Sequence, residues 1–155
     1  MTNSIYLSTS EPRTGKSLIA LGIIELILRK TTKVGFFRPI IQEPIDNQPD
    51  KPIDLILSYF KLPPTYDDAF GLYYSEVNHL MGEEKLDKIL DKIITKYKKL
   101  EQKCDFIACE NSDYVGENST FAFDINVAIA KTLGCSLLIL GNGHQKSVEE
   151  RFYRT

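Results

Sequence analysis

Ile5-Tyr6-Leu7-Ser8-Thr9-Ser10-Glu11-Pro12-Arg13-Thr14-Gly15-Lys16-Ser17 decides how this chain is read. Ile5-Tyr6-Leu7 is branched, aromatic and apolar, which suits a buried strand. Downstream, Leu18 to Leu28 is a long apolar run that suits a helix. A strand, a polar loop ending in Gly-Lys-Ser, then a helix is the arrangement of a phosphate-binding loop. Free backbone N–H groups at the helix start, with the positive end of its dipole, face an anion there. Arg13, Thr14, Gly15, Lys16 and Ser17 are therefore the expected nucleotide-binding residues. Lys16 would reach the β- and γ-phosphates, and the Ser17 hydroxyl would be a hard oxygen ligand for Mg²⁺. The usual first glycine of this loop is replaced by Ser10. The alternative is an ordinary strand-to-helix turn that uses Gly15 for a positive φ.

Working outward, Val34-Gly35-Phe36-Phe37-Arg38 reads as a second strand stopped by Pro39. Residues 42–52, with Pro44, Pro49 and Pro52, read as a mobile loop. Asp54 is placed to cap a short helix over 55–60, ended by Pro63-Pro64. Residues 65–82 show no clear periodicity. From Glu83 to Lys103, Leu86, Ile89, Leu90, Ile93, Ile94, Tyr97 and Leu100 recur on one helical stripe, with lysines largely on the other side. Interspersed acids make those lysines a solvated face rather than an anion site.

Asp105 to Cys109 is another strand, leading into Glu110-Asn111-Ser112-Asp113. A polar loop over 114–120 follows, then a helix over 125–133 with Asp124 as its cap and Gly134 as its stop. Ser136 to Leu140 reads as a further strand, with exit loop Gly141-Asn142-Gly143-His144. Ser147 to Glu150 resembles the first turn of one more helix.

Continuously apolar strands alternating with helices predict an α/β fold: a parallel sheet with helices on both faces. The 155 residues allow one domain, 1–155, whose last sheet edge would be exposed; the expectation is an incomplete domain and a fragment of a longer protein. A net charge of −2 offers no basic field for nucleic acid. No apolar stretch has the length of a membrane span, and the N-terminus lacks signal-peptide features. Cys104, Cys109 and Cys135 have no metal-ligand spacing and read as free thiols, Cys109 and Cys135 within strands. A cytoplasmic protein is the expectation.

Functional residues of parallel α/β sheets lie past the carboxyl ends of strands. An acidic residue there, opposite the phosphate loop, would complete a Mg²⁺ site: Glu110 first, then Asp113, then Asp54. Arg38 at its strand end could clamp a phosphate or a carboxylate, or form a surface salt bridge. His144 reads as a solvated loop residue, and His79 has no evident partner.

Four blocks carry a family resemblance: Thr9 to Ser17, Val34 to Ile40, Cys104 to Glu110, and Phe123-Asp124-Ile125-Asn126. Together they resemble the N-terminal domain of long-form bacterial phosphate acetyltransferase, itself similar to dethiobiotin synthetase, a P-loop enzyme. The resemblance implies a protein interconverting acetyl-CoA plus phosphate with acetyl phosphate plus coenzyme A. It assigns acetyl transfer to a separate C-terminal domain, absent from this chain. It implies a regulatory, assembly-supporting role here, with a nucleotide or small metabolite as effector, the acetyltransferase domain as partner, and a homo-oligomer. ATP or another nucleotide with Mg²⁺ is the implied cofactor.

An alternative is an ATP-dependent cyclo-ligase of the dethiobiotin synthetase type. On that pattern Glu11 approximates a polar loop position and Glu110 matches the Mg²⁺ carboxylate. That family's lysine before proline is Arg38 here, and its small glycines after the glutamate are Asn111 and Ser112. A third reading is a degenerate structural domain that binds nothing.

Overall fold

The computed structural model describes residues 2–9, 15–111 and 119–141, with the side chains of 119–123 excepted. Asn3–Thr9 forms β1, Lys16–Leu28 forms α1 and Val34–Ile41 forms β2. Lys51–Phe60 (α2) and a 3-10 turn over Tyr66–Ala69 lead into Phe70–Tyr73 (β3). Tyr74–Gly82 (α3), Leu86–Glu101 (α4), Phe106–Glu110 (β4), Ser119–Leu133 (α5) and Ser136–Leu140 (β5) complete it. The five strands form one sheet in the order β3-β2-β4-β1-β5, with every pairing parallel.

Helices cover both faces, as the apolar strands require. On one face α1 and α2 bury Ala20, Ile24, Ile53 and Ile56 against Leu7, Phe36, Ile41 and Ala108. On the other, α3, α4 and α5 bury Val77, Ile93, Tyr97 and Ile129 against Tyr6, Phe37, Leu72 and Cys109. Of the stripe read from 83–103, Ile89, Ile93, Tyr97 and Leu100 form this packed face of α4, whereas Leu86 at its start is exposed. Of the lysines read as a solvated face, Lys96 is instead half-buried over the Phe70 ring. At the far edge, β5 has no fully buried residue, and Leu137, Leu138 and Ile139 are 43, 37 and 55% exposed. β5 is the last strand of the sheet among the described residues.

Several expectations need correcting. Pro39 does not stop β2, which runs to Ile41 and is buried throughout. Residues Val34–Phe37 pair with β4, and from Arg38 onward the pairing passes to β3. The residue lacking an N–H thus sits where the strand changes partner. The region without periodicity holds β3 and α3. Gly71 lets β3 pack closely, because a Cβ there would lie 2.3 Å from the Pro39 carbonyl oxygen.

Asp50, not Asp54, caps α2: its side chain accepts from the Ile53 N–H at 3.1 Å. The helix therefore starts four residues earlier than expected. Asp124 lies within α5 rather than at its cap, while Gly134 does end that helix, at φ 69°. The loop between β2 and α2 turns at Asp46 and Asn47, both with positive φ, inside an antiparallel Ile45–Gln48 bridge.

Cys135 precedes β5 rather than lying in it. All three thiols are free; Cys104 and Cys109 are buried, and the Cys109 and Cys135 sulfurs are 3.9 Å apart. The polar loop read over 114–120 is corrected at its end, where Ser119 and Thr120 open α5. Its residues 114–118 and the terminal helical turn read from 147–150 lie outside the described residues. No helix among the described residues is long and apolar enough to cross a membrane.

Candidate functional site

The first turn of α1 and the carboxyl end of β4 meet because β1 and β4 are neighbours in register, Leu7 against Glu110. Asn111 continues the ladder, its N–H donating to the Leu7 carbonyl at 3.0 Å. Gly15 begins α1 at φ 72°, a left-handed conformation favouring glycine, and its carbonyl accepts from the Leu18 and Ile19 N–H groups.

Lys16 and Ser17 follow directly and face β4. Lys16 is only 4% exposed, and its ammonium donates to the Asn111 carbonyl at 2.7 Å and to Asn111 Oδ1 at 2.8 Å. Buried charges require such hydrogen-bonded partners. The Ser17 hydroxyl donates to the Glu110 carboxylate, 3.2 Å from Oε1 and 3.4 Å from Oε2. Glu110 is 1% exposed.

Arg38 enters from β2, the strand next to β4. Its Nη1 lies 2.5 Å from Asp50 Oδ2, and its Nε lies 3.8 Å from Glu110 Oε1. Nε is buried and, among the described residues, has no hydrogen-bond partner. The surface-salt-bridge reading of Arg38 is thus corrected: this guanidinium is buried between two carboxylates. Asp50 is held in turn by its backbone, whose N–H donates to the Tyr66 hydroxyl at 2.8 Å. Burial pushes the Tyr66 phenol above its usual pKa.

Gly15, Lys16, Ser17, Arg38 and Glu110 are therefore assembled at one end of the sheet. Asp54 is exposed in the first turn of α2; Asp50 is the acid of that helix joined to the cluster. Glu11, Arg13 and Thr14 lie outside the described residues, as do Asp113 and His144. His79 is exposed and pairs with Glu83 at 3.5 Å. Asn111 and Asp50 were missed as site residues. Asn111 directly follows the chosen glutamate at a strand end, whereas Asp50 carried no sequence signal beyond its place before Lys51-Pro52.

The donor set fits a magnesium–phosphate group. A serine hydroxyl beside a carboxylate supplies hard oxygen ligands that leave positions for water and phosphate. Among the described residues there is no cluster of three or more His, Cys, Asp or Glu able to hold a metal by themselves. A cation here would thus rely on Ser17, Glu110 and the bound phosphate. The N–H groups opening α1, with Lys16, suit a polyphosphate.

A family model described as AAA domain matches residues 3–153. Phosphate acetyltransferase of Synechocystis sp. is 50% identical over 150 residues, covering 97% of this chain and 22% of that protein. The Nitratidesulfovibrio vulgaris phosphate acetyltransferase is 39% identical over 150 residues, covering 97% of this chain and 21% of the relative. That of Salmonella typhimurium is 24% identical and covers the whole chain and 22% of the relative. The chain thus spans about a fifth of the length of these curated relatives.

Proposed function

The chain belongs to this AAA-domain family, a P-loop α/β family, and from that premise we propose that it is the N-terminal, nucleotide-binding regulatory domain of a phosphate acetyltransferase. The parent protein would interconvert acetyl-CoA plus phosphate with acetyl phosphate plus coenzyme A, the acetyl transfer taking place in a separate domain. In this reading the protein works in the cytoplasm, as a homo-oligomer, and has neither nucleic acid nor membrane as a partner. Further polypeptide of the parent would pack against β5, where Leu137, Leu138 and Ile139 are exposed.

The observation that carries the proposal is the approach of Lys16 and Ser17, at the start of α1, to Asn111 and Glu110, at the end of β4. Lys16 would exchange its bonds to Asn111 for phosphate oxygens. Ser17 and Glu110 would hold Mg²⁺, whose charge would offset that of the phosphates. Glu11, Arg13 and Thr14 would complete the loop. In this reading Arg38, paired with Asp50 and 3.8 Å from Glu110 through Nε, would position the Glu110 carboxylate rather than contact the nucleotide.

That last role separates this reading from a dethiobiotin-type ligase. In the ligase pattern a lysine stands at position 38, whereas Arg38 is committed to Asp50 at 2.5 Å. An ammonium and a guanidinium are not interchangeable at such a site.

The test is acetyl phosphate formation by the full-length acetyltransferase, titrated with Mg·ATP. The expected result is a rate that responds saturably to nucleotide in the wild type and not in Lys16→Ala. The same response in both proteins would contradict the proposal.

A further inference from the structure

A cleft of about 540 Å³ opens on the edge of the sheet away from the phosphate loop. Its walls are Phe70 to Tyr73 of β3, Glu76 of α3, and Asp91, Lys92, Thr95 and Lys96 of α4. The volume is that of a small-molecule site. β3 lies three strands from β1 in the sheet, roughly 14 Å at the usual strand spacing. No residue lining the cleft belongs to the Lys16–Glu110–Arg38 cluster.

The chemistry of the cleft is amphipathic. Phe70 and Tyr73 stand with ring centroids 5.0 Å apart, and Leu72 lies between them in sequence. The Lys96 ammonium sits 4.1 Å from the Phe70 ring centroid. Among the described residues Lys96 makes no hydrogen bond or ion pair, and burial lowers its pKa. Asp67, Asp68 and Glu76 are near enough to favour its charged form, but among the described residues none is within ion-pair distance of it. Asp68 accepts from Lys103 and Thr65, and Glu76 accepts from the Tyr73 N–H at 3.0 Å. A half-buried cation against an aromatic face, in direct ion-pair contact with no carboxylate among the described residues, can take an incoming anion.

The charge balance narrows the class of anion. Two lysines and two carboxylates line the cleft, so no excess positive field draws a polyphosphate. A single negative charge, placed on Lys96 and away from Asp91, meets one cation and an apolar wall.

We propose that this cleft is a second ligand site, which takes a small monocarboxylic acid with a flat apolar body. Its carboxylate pairs with the Lys96 ammonium, and its body lies against the Phe70–Tyr73 wall. The site is independent of the phosphate loop and does not rest on the nucleotide reading.

The probe is phenylacetate, titrated calorimetrically and by saturation-transfer NMR into the full chain, with inorganic phosphate as comparator. Saturable binding at about millimolar affinity is expected for a ligand of this size. Lys96→Met should weaken it about tenfold or more, and Lys96→Arg should hold it within about threefold. Thr95→Trp, which fills the cleft from an exposed helical position, should abolish it while leaving the fold intact by circular dichroism. Lys16→Ala should bind phenylacetate as the wild type does. The proposal is overturned by absence of saturable binding to the folded wild type, by equal binding to Lys96→Met, or by competition from phosphate.

Discussion

The Arg38 guanidinium and the Asp50 carboxylate are 2.5 Å apart, and both side chains are less than a tenth exposed. One comes from a fully buried strand, the other is the N-cap of the next helix. This pair ties α2 to the sheet at the point where Glu110 receives the Ser17 hydroxyl.

Breaking a buried pair strands its remaining charge. Arg38→Met leaves Asp50 buried without its cation, and should cost about 3–5 kcal/mol. Urea unfolding of the variant measures this. Asp50→Asn is the informative companion, because asparagine still caps α2. Its loss therefore reports the broken ion pair and the stranded guanidinium, with the helix cap retained. Wild-type stability in both variants would show that the pair contributes nothing.

Gly71→Ala tests close strand packing. The new Cβ would lie 2.3 Å from a backbone oxygen, which cannot swing away as a side chain could. A loss of about 1–3 kcal/mol or more is expected, read from the denaturation midpoint. Gly82→Ala meets no atom within 4 Å and serves as the control, with no comparable loss.

These residues also show what could be read in advance. The strands at 5–7, 34–38, 105–109 and 136–140 were legible because each is largely an apolar run between polar turns. The helix over 86–101 was legible because its stripe is long. β3 was not: four residues containing a glycine, followed at once by a helix, carry neither periodicity. Its place is fixed by Pro39 and Gly71, a contact between segments 32 residues apart. Within the site, Lys16, Ser17 and Glu110 followed from motif and strand-end position. Asn111 and Asp50 act through tertiary contacts to Lys16 and Arg38, which no local pattern encodes.

Cys104 gives a pH dependence. Burial pushes its thiol from 9.0 up to about 11. Below pH 9 the thiol is protonated whether folded or unfolded, and its contribution is fully present. Between pH 9 and 11 the unfolded chain ionises first, so it binds fewer protons and native stability falls. The contribution lost is about 2–3 kcal/mol. Urea midpoints across this range should drop less steeply in Cys104→Ala than in the wild type. Parallel slopes would show that the buried thiol is not responsible.

The most direct measurement of the central claim is calorimetric titration of the chain with Mg·ATP, beside Lys16→Ala. The account expects saturable binding by the wild type, weakened at least about thirtyfold when the charge-assisted phosphate contacts of Lys16 are removed. Wild-type chain that is folded by circular dichroism yet takes up no nucleotide, or binding that survives Lys16→Ala unchanged, would contradict it.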